Sequence, residues 1–383
     1  MNKLDIFSRI LPEVIKYKIF RSTGLTKINP ISLTFSVTAA CQSRCKTCHI
    51  GLMYHDNPDR KKNDLNIAEI ESIFKTMHPV FYFNVSGGEP YLRNDLPEII
   101  NLACRFLKPK IIHIPTNAIA VQTIYHQTEK ILDIIKGYSD GITLTVKPSI
   151  DGIGKLHDEI RGRRGNFNNL LDTIKLLKRL EVKYDNFYLE LGTVVSVYNL
   201  DHLAEIEDFV HSLNVESYRN EIAEQRAEFF NVGDPITPAV EVYEKLMEDF
   251  REKLISNIHK KKKLTKISEA LRLTYYQLAA KILKENRQVI PCYAGISNAH
   301  INYDGELWPC CVLGYEIKFG NLRDYGYDFQ KLWHSNEANQ VRLYIKRKNC
   351  ACPLANQAYS NILLNFKSLL KVVYSYCSFN VKK

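Results

Sequence analysis

Short apolar runs alternate with longer amphipathic segments from about residue 31 to residue 220. The short runs are rich in Val, Ile, Thr and aromatic residues, which is typical of strands, and the segments between them have a helical period. Six β/α units in succession predict a parallel sheet with right-handed crossovers, and they fit a partial TIM-type barrel better than a full eight-unit barrel. We predict strands at Ile31–Thr38, Val80–Val85, Ile111–Pro115, Ile142–Ile150, Phe187–Ser196 and Val215–Asn220, and helices at Ile67–Met77, Leu96–Leu107, Val121–Ile135, Phe167–Leu180 and Leu203–Leu213.

The 30 residues before the first strand contain a basic, amphipathic segment. Residues 3–20 carry apolar side chains at helical spacing among lysines and arginines, with a bend or a new start at Pro12. A segment of this kind either lies on a membrane surface or packs onto its own domain, and the sequence leaves both readings open.

The pattern changes again after the last predicted strand. Residues 236–290 are charged and helical, and from Pro291 they give way to short hairpin-like pieces with a strong turn signal at Asp304-Gly305. These changes divide the chain into an N-terminal segment, a barrel, a helical connector, a small cysteine-rich domain and a C-terminal helical segment. The bounds that we assign to them are 1–30, 31–235, 236–290, 291–355 and 356–383.

Composition and charge narrow the functional classes. The 383 residues are 45% hydrophobic and 25% charged, as in ordinary globular proteins, and no apolar run reaches the 18 or so residues that span a bilayer. A net charge of +10 suits acidic partners or an anionic membrane surface, but a solvated lysine-rich surface, including the run Lys260–Lys263, explains it as well. The aromatic residues show no base-stacking pattern, so nucleic acid is not an expected partner. Ten clustered cysteines without a signal peptide indicate a reducing, cytoplasmic compartment and metal binding.

Three cysteines with the spacing C-x3-C-x2-C follow the first predicted strand directly. Three thiolates on one short loop can hold three corners of a cuboidal iron–sulfur cluster, which leaves one iron open to a substrate or cofactor. Polar or glycine-rich loops also follow the next three strands. Because ligands bind at the C-terminal ends of parallel strands, we expect these loops to converge on one site. The four loops are Cys41–Cys48, Ser86–Pro90, Thr116–Asn117 and Ser149–Gly152.

These motifs resemble those of radical S-adenosylmethionine (SAM) enzymes. The resemblance implies that Cys41, Cys45 and Cys48 bind a [4Fe–4S] cluster and that SAM chelates its open iron. In this family the reduced cluster cleaves SAM to a 5′-deoxyadenosyl radical, which abstracts hydrogen from the substrate, while the protein positions and shields the cofactors. It also implies an electron donor such as a flavodoxin or ferredoxin.

The resemblance further implies which residues bind SAM. The family's Gly-Gly-Glu-Pro motif lets the backbone approach closely and places a carboxylate near the SAM amino group. A Ser-x-Asp-Gly segment contacts the ribose and carboxylate of SAM, and an arginine pairs with that carboxylate. The loop after the third strand completes the set. The matching residues are Gly87, Gly88, Glu89, Pro90, Thr116, Asn117, Ser149, Asp151 and Arg161.

Two positions depart from the family pattern. Thr47 stands where an aromatic residue usually lies beside the adenine, so the adenine must pack elsewhere, and Ala118 stands where glycine is common. Neither change removes a ligand. The alternative for the cysteine loop is a zinc knuckle that adds His49, but His49 follows Cys48 directly, which is an awkward geometry for binding the same ion.

A second cysteine set lies near the C-terminus, where the spacing from Cys292 to Cys310 resembles the start of SPASM and Twitch domains. These domains hold auxiliary iron–sulfur clusters. The resemblance implies one auxiliary [4Fe–4S] cluster, as in the Twitch form, with zinc as the alternative. The implied ligands are Cys292, Cys310, Cys350 and Cys352.

Three cysteines stay outside these sets. Cys311 is adjacent to Cys310 and can take its place as a ligand, although the family pattern favours Cys310. Cys104 lies in a helical stretch and Cys377 in an apolar one, so we expect both to be small buried residues of the core.

The sequence therefore predicts a cytoplasmic, oxygen-sensitive radical SAM enzyme with a partial (β/α)6 barrel and a small Twitch/SPASM-like domain. We expect a radical oxidation or rearrangement of an organic substrate, with an auxiliary cluster that transfers electrons. About 30 residues precede the first strand, too few for a peptide-recognition domain, so we favour a small-molecule, sugar or lipid-linked substrate and peripheral membrane contact. The alternatives are a peptide or protein maturase, an RNA-modifying enzyme and, from another class, a non-catalytic metal-binding scaffold.

Overall fold

The computed structural model describes residues 3–138, 141–258 and 263–379, and within these ranges a parallel sheet forms the centre of the protein. Its first six strands lie side by side in chain order, and all of them are parallel. Each strand begins and ends within two residues of its predicted bounds, so the predicted partial barrel is confirmed. The strands are β1 Ser32–Ser36, β2 Tyr82–Ser86, β3 Ile111–Thr116, β4 Thr143–Pro148, β5 Phe187–Val195 and β6 Ser217–Ile222.

Helices precede and connect these strands. They are α1 Lys3–Thr23, α2 Ile50–Asp56, α3 Ile67–Lys75, α4 Leu96–Leu102, α5 Val121–Lys136, α6 Lys155–Arg161, α7 Asn166–Lys183 and α8 Leu203–Ser212. The longer crossover helices bury one apolar stripe against the sheet, as α5 does with Ile124, Ile131 and Ile135. Helices α2 and α6 were not predicted, because each has only seven residues and does not continue into a further helical turn, as α4 does at Ala103–Leu107.

The sheet continues beyond β1 into the cysteine-rich segment. Strand β7 (Asn298–Ile301) pairs with β1 in parallel, and β8 (Glu306–Trp308) and β9 (Gly320–Asn321) extend the sheet in antiparallel fashion. The predicted turn lies between β7 and β8, where Gly305 has φ +88°. The sequence did not predict that this hairpin joins the barrel sheet.

The connector contains helices α9 Val240–Asn257 and α10 Lys263–Glu285. The cysteine-rich segment contains α11 Phe329–Trp333 and α12 Asn336–Lys346, which the sequence did not predict, and α13 Ala355–Leu364 and α14 Phe366–Ser378 follow it. Helix α10 covers the outer edge of β6, where the Arg272 guanidinium donates to the Tyr218 carbonyl and the Asn220 N–H donates to the Tyr276 hydroxyl. Side chains of α10 thus satisfy strand groups at the open edge of the partial barrel.

The second half of α1 packs onto the chain's own domain. Tyr17 is fully buried and its hydroxyl donates to the Asn29 carbonyl, and Arg21 donates to the Cys292 carbonyl at 2.6 Å. The side chains of residues 3–11 and the lysine run at 260–263 lie outside what the structure describes. In the described part of the chain, no helix combines the length and the apolar character needed to cross a bilayer.

Candidate functional site

The three-cysteine loop is held by the backbone of α6. The N–H groups of Arg44 and Lys46 donate to the carbonyls of Arg161 and Ile160 at 3.1 and 2.8 Å. Gly162, at the end of α6, has φ +61°, and a Cβ there would lie 2.1 Å from the Arg44 carbonyl oxygen, so this close approach requires glycine.

The loop brings its thiols together. Burial raises the pKa of the Cys41 thiol to about 12 and that of Cys48 well above its usual range, and the charge of Cys45 raises both further. Three mutually repelling thiolates are stable in such a place only beside strong positive charge, because metal ligands must be deprotonated. An iron–sulfur cluster supplies that charge, so the three cysteines fit the group that they are predicted to bind.

The loop after β2 lies directly against the cysteine loop. The N–H groups of Gly88 and Glu89 donate to the carbonyls of Thr38 and Ala40 at 2.9 and 2.8 Å. A Cβ on Gly88 would lie 2.1 Å from the Ala40 carbonyl oxygen, and Gly87 has φ +120°. The Gly-Gly pair therefore lets the two loops touch.

Glu89 joins this loop to the one after β3. Its buried carboxylate accepts hydrogen bonds from the Thr116 hydroxyl and the Asn117 N–H at 2.8 and 2.7 Å. Burial raises the pKa of Glu89 to about 7, against the lowering effect of these donors. A buried carboxylate of this kind is stabilised as an anion by an ammonium group, which agrees with its predicted place beside the SAM amino group. Pro90 starts the short buried turn that follows.

Asp151 and Arg161 form a buried ion pair beside the cysteine loop. Arg161 Nε lies 2.8 Å from Asp151 Oδ2, and the Asp151 carboxylate also accepts from the Val194 N–H at 2.8 Å. Arg161 Nη1 donates to Cys45 Sγ at 3.6 Å. Within the described part of the chain, Nη2 of Arg161 is buried without a hydrogen-bond partner. A guanidinium N–H group without a hydrogen-bond partner, next to the cysteine loop, can donate to a carboxylate ligand such as that of SAM.

The remaining predicted SAM contacts lie at the ends of neighbouring strands. The Asn117 side-chain amide is 3.9 Å from Cys41 Sγ and 3.3 Å from Gln42 Oε1. The Ser149 N–H donates to the Thr116 carbonyl at 3.1 Å, which aligns the ends of β3 and β4. The structure thus brings the predicted residues together at the ends of neighbouring strands, and their roles toward SAM stay predictions.

The second cysteine set also comes together. Burial raises the pKa of the Cys292, Cys310, Cys350 and Cys352 thiols, and charge interactions link Cys310 and Cys352 to Cys292, and Cys292 to Cys350. Cys311 instead lies beside Arg226, whose Nη1 donates to its sulfur at 3.7 Å. Their placement agrees with Cys310, rather than its neighbour, as the ligand, although this assignment too stays a prediction.

The zinc alternatives find little support in these positions. Nε2 of His49 lies 2.6 Å from Asp234 Oδ2, so this nitrogen is engaged with a carboxylate outside the cysteine loop. Over the described ranges, no three His, Cys, Asp or Glu side chains are placed to hold a single metal ion. A cuboidal cluster binds each thiolate to a different iron, so its ligands need not converge on one point.

Two of the other cysteines differ in burial. Cys104 is buried, as predicted. Cys377 is exposed, so its predicted place in the core is wrong. Apolar residues near Cys377 lie on both sides of α14, and the side that carries Cys377 faces solvent.

Two cavities lie between the cysteine sets. One is a small cleft lined by Gly87 and Gly88, and the other is lined by Cys310 and Cys311. Glu228 lines both cavities and therefore lies between them.

Sequence reasoning missed the polar groups of these cavities. Burial raises the pKa of Glu228 to about 7 and lowers that of His300, 3.8 Å away, to about 3. Arg226 pairs with Glu224 at 2.6 Å. The residues from Glu224 to Glu228 follow β6 directly, so the rule that ligands bind at strand ends could have found them if it had been applied beyond the fourth strand.

Comparison with known proteins gives the same picture. Residues 35–210 match the model of the radical SAM superfamily, and residues 292–353 match that of the SPASM iron–sulfur cluster-binding domain. The chain is 22% identical over 339 residues to the antilisterial bacteriocin subtilosin biosynthesis protein AlbA of Bacillus subtilis, a match that covers 85% of this chain and 66% of AlbA. The chain thus spans about two thirds of the length of that relative.

Two further similarities extend over most of the chain. An AdoMet-dependent heme synthase of Oleidesulfovibrio alaskensis is 24% identical over 80% of this chain and 74% of its own length. The crystal structure of Streptococcus suis SuiB bound to the precursor peptide SuiA superposes with a TM-score of 0.58 at 17% identity, covering 89% of this chain and 72% of SuiB. At this identity the structural likeness shows the fold.

Proposed function

Since the chain belongs to the radical SAM superfamily and carries a C-terminal iron–sulfur cluster-binding domain, we propose that this enzyme modifies a peptide or protein by abstracting a hydrogen atom from it. When bound, the [4Fe–4S] cluster and SAM supply the 5′-deoxyadenosyl radical for that step. The observation that carries the choice of substrate is the alignment with AlbA, a bacteriocin biosynthesis protein, along 85% of the chain. The shared fold with SuiB in its complex with a precursor peptide supports it.

This proposal reverses the preference for a small-molecule, sugar or lipid-linked substrate. That preference rested on the short segment before β1, which is weaker ground than a relative aligned over most of the chain. The similarity to a heme synthase keeps a heme precursor as a second candidate.

Different residues would bind the cluster and orient SAM. Cys41, Cys45 and Cys48 would hold the cluster, and the backbone at Gly87–Gly88 and the Arg161 guanidinium would orient SAM beside it. The target side chain would approach the SAM-binding loops from the cavities that Glu228 borders.

Anaerobic turnover of the reconstituted enzyme tests the proposal. The enzyme is incubated with SAM, dithionite and each synthetic peptide encoded by short reading frames beside its gene, and 5′-deoxyadenosine and peptide mass are measured. We expect one peptide to stimulate 5′-deoxyadenosine formation and to change in mass. Stimulation by an iron porphyrin precursor of heme, with every peptide unchanged, would favour the second candidate instead.

Two variants separate the roles of the clusters. Cys45→Ala should lose SAM cleavage with every substrate, because it removes a ligand of the SAM-binding cluster. Cys350→Ala should retain SAM cleavage and lose the mass change of the peptide. A wild-type protein that binds iron but never forms 5′-deoxyadenosine would instead support a non-catalytic scaffold.

A further inference from the structure

Helix α14 is firmly attached to the protein through one of its faces. Val372 and Ser368 are buried on that face, and the helix packs against α10 and α13. Asn365 caps its N-terminus, where the side chain accepts from the Ser368 N–H at 3.0 Å. The orientation of α14 is therefore fixed, and so is the side that it turns to solvent.

The solvent side of α14 is apolar. Phe366, Leu370, Val373 and Tyr374 expose 68%, 52%, 49% and 78% of their surfaces. At 100° per residue these positions, together with the exposed Cys377, occupy an arc of about 100°. A surface helix normally places polar residues on this side, so an apolar stripe of this width indicates a binding surface.

Positive charge borders the stripe. Lys367 and Lys371 are exposed and follow the apolar arc on one side, about 20° and 60° beyond its edge at Tyr374 in the same projection. The helix itself contains no Asp or Glu. Residues 353–383 of the sequence contain four Lys and no Asp, Glu or Arg, so this end of the chain is positively charged throughout.

We infer that this stripe, Phe366 to Cys377 with its two lysines, docks the enzyme on an anionic lipid bilayer. Apolar side chains of an interfacial helix enter the boundary between headgroups and acyl chains, while lysines along its edge contact anionic headgroups. An anionic bilayer has an apolar interior beneath negatively charged headgroups, so it accounts for both the apolar stripe and the lysines beside it. An apolar groove on a protein would account for the stripe but not for the lysines.

Vesicle flotation of the reconstituted holoenzyme tests the inference. Vesicles of phosphatidylcholine alone and of phosphatidylcholine with 30% phosphatidylglycerol are compared at low and high salt. We expect binding to the anionic vesicles, weakened by salt. Lys367→Gln with Lys371→Gln should weaken it about thirtyfold, and Phe366→Ser with Leu370→Ser by about tenfold or more.

A matched control distinguishes binding through this stripe from nonspecific binding through any exposed apolar side chain. Val182→Ser removes an apolar side chain that is 90% exposed on α7, and it should leave vesicle binding unchanged. All variants should retain SAM cleavage, which reports that they fold. Equal binding to neutral and anionic vesicles, no binding at all, or an equal loss in Val182→Ser would overturn the inference. A dimer in solution that dissociates in Phe366→Ser with Leu370→Ser, without vesicle binding, would assign the stripe to contact between two copies instead.

Discussion

Replacing Asp151 with asparagine should destabilise the apoprotein and weaken SAM binding. The substitution preserves the size of the side chain and the acceptor for the Val194 N–H, so its main effect is to remove one charge. The Arg161 guanidinium, 2.8 Å away, would then be left charged and without its partner. Because Arg161 also contacts Cys45, the loss reaches the cluster loop.

The expected magnitude follows from burial. The side chains of Arg161 and Asp151 are 12% and 2% exposed, so solvent screens the pair little. Removing one partner of a buried pair costs about 3–5 kcal/mol, since it leaves an uncompensated charge. For a chain of this size the midpoint of thermal unfolding should fall on the order of 5 °C. Misplacing the guanidinium should weaken SAM binding about tenfold, which is about 1.4 kcal/mol.

A double-mutant cycle on the apoprotein measures the pair directly. Asp151→Asn, Arg161→Met and the double variant are unfolded in urea, and SAM affinity of the reconstituted proteins is measured by calorimetry. We expect the double variant to be about 3 kcal/mol more stable than the sum of the single effects predicts. The control is Asp208→Asn, which breaks an exposed pair with Lys253 and should change stability by less than about 1 kcal/mol. Additive effects, or wild-type stability in Asp151→Asn, would refute the reasoning.

Two other predictions concern ligand choice and pH. Cys310→Ser should lower the iron content of the reconstituted enzyme by about four irons per chain, whereas Cys311→Ser should leave it unchanged; equal losses would refute the assignment. Burial lowers the pKa of His113 to about 3, so its contribution to stability is fully present above pH 6.5 and is lost as the pH falls toward 3. Near pH 5, this group should lower the free energy of unfolding of the apoprotein by about 1.4 kcal/mol for each pH unit by which the pH falls. The His113→Gln variant should lack this contribution to the slope. The control His126→Gln, which changes an exposed histidine, should retain it.

The barrel could be predicted because each of its elements carries a local signal. Val- and Ile-rich runs mark the strands, and α5 displays its buried stripe in the sequence itself. The parallel pairing of β7 with β1 has no such signal, because it joins residues more than 260 positions apart. The two faces of α14 could not be separated either, since apolar residues occur on both.

The candidate site likewise contains some parts that have a local sequence signal and others that have none. The cysteine loops could be found because their spacing alone indicates cluster chemistry. The placement of Cys311 beside Arg226, and of Glu228 between the cavities, depends on how β6 and the hairpin of β7 and β8 meet. The strand-end rule could have identified Glu228 as a candidate after β6, but not its position between two cavities.

The pairing of β1 with β7 also sets the order in which the protein can be completed during synthesis. Strand β1 is made before β7, and its partner on that side follows only after more than 260 further residues. At 5–20 residues per second that interval is on the order of 10 s or more, during which the Leu33–Phe35 edge lacks its native neighbour. An unpaired apolar strand edge is a template for aggregation, so the nascent barrel needs protection until the last quarter of the chain emerges.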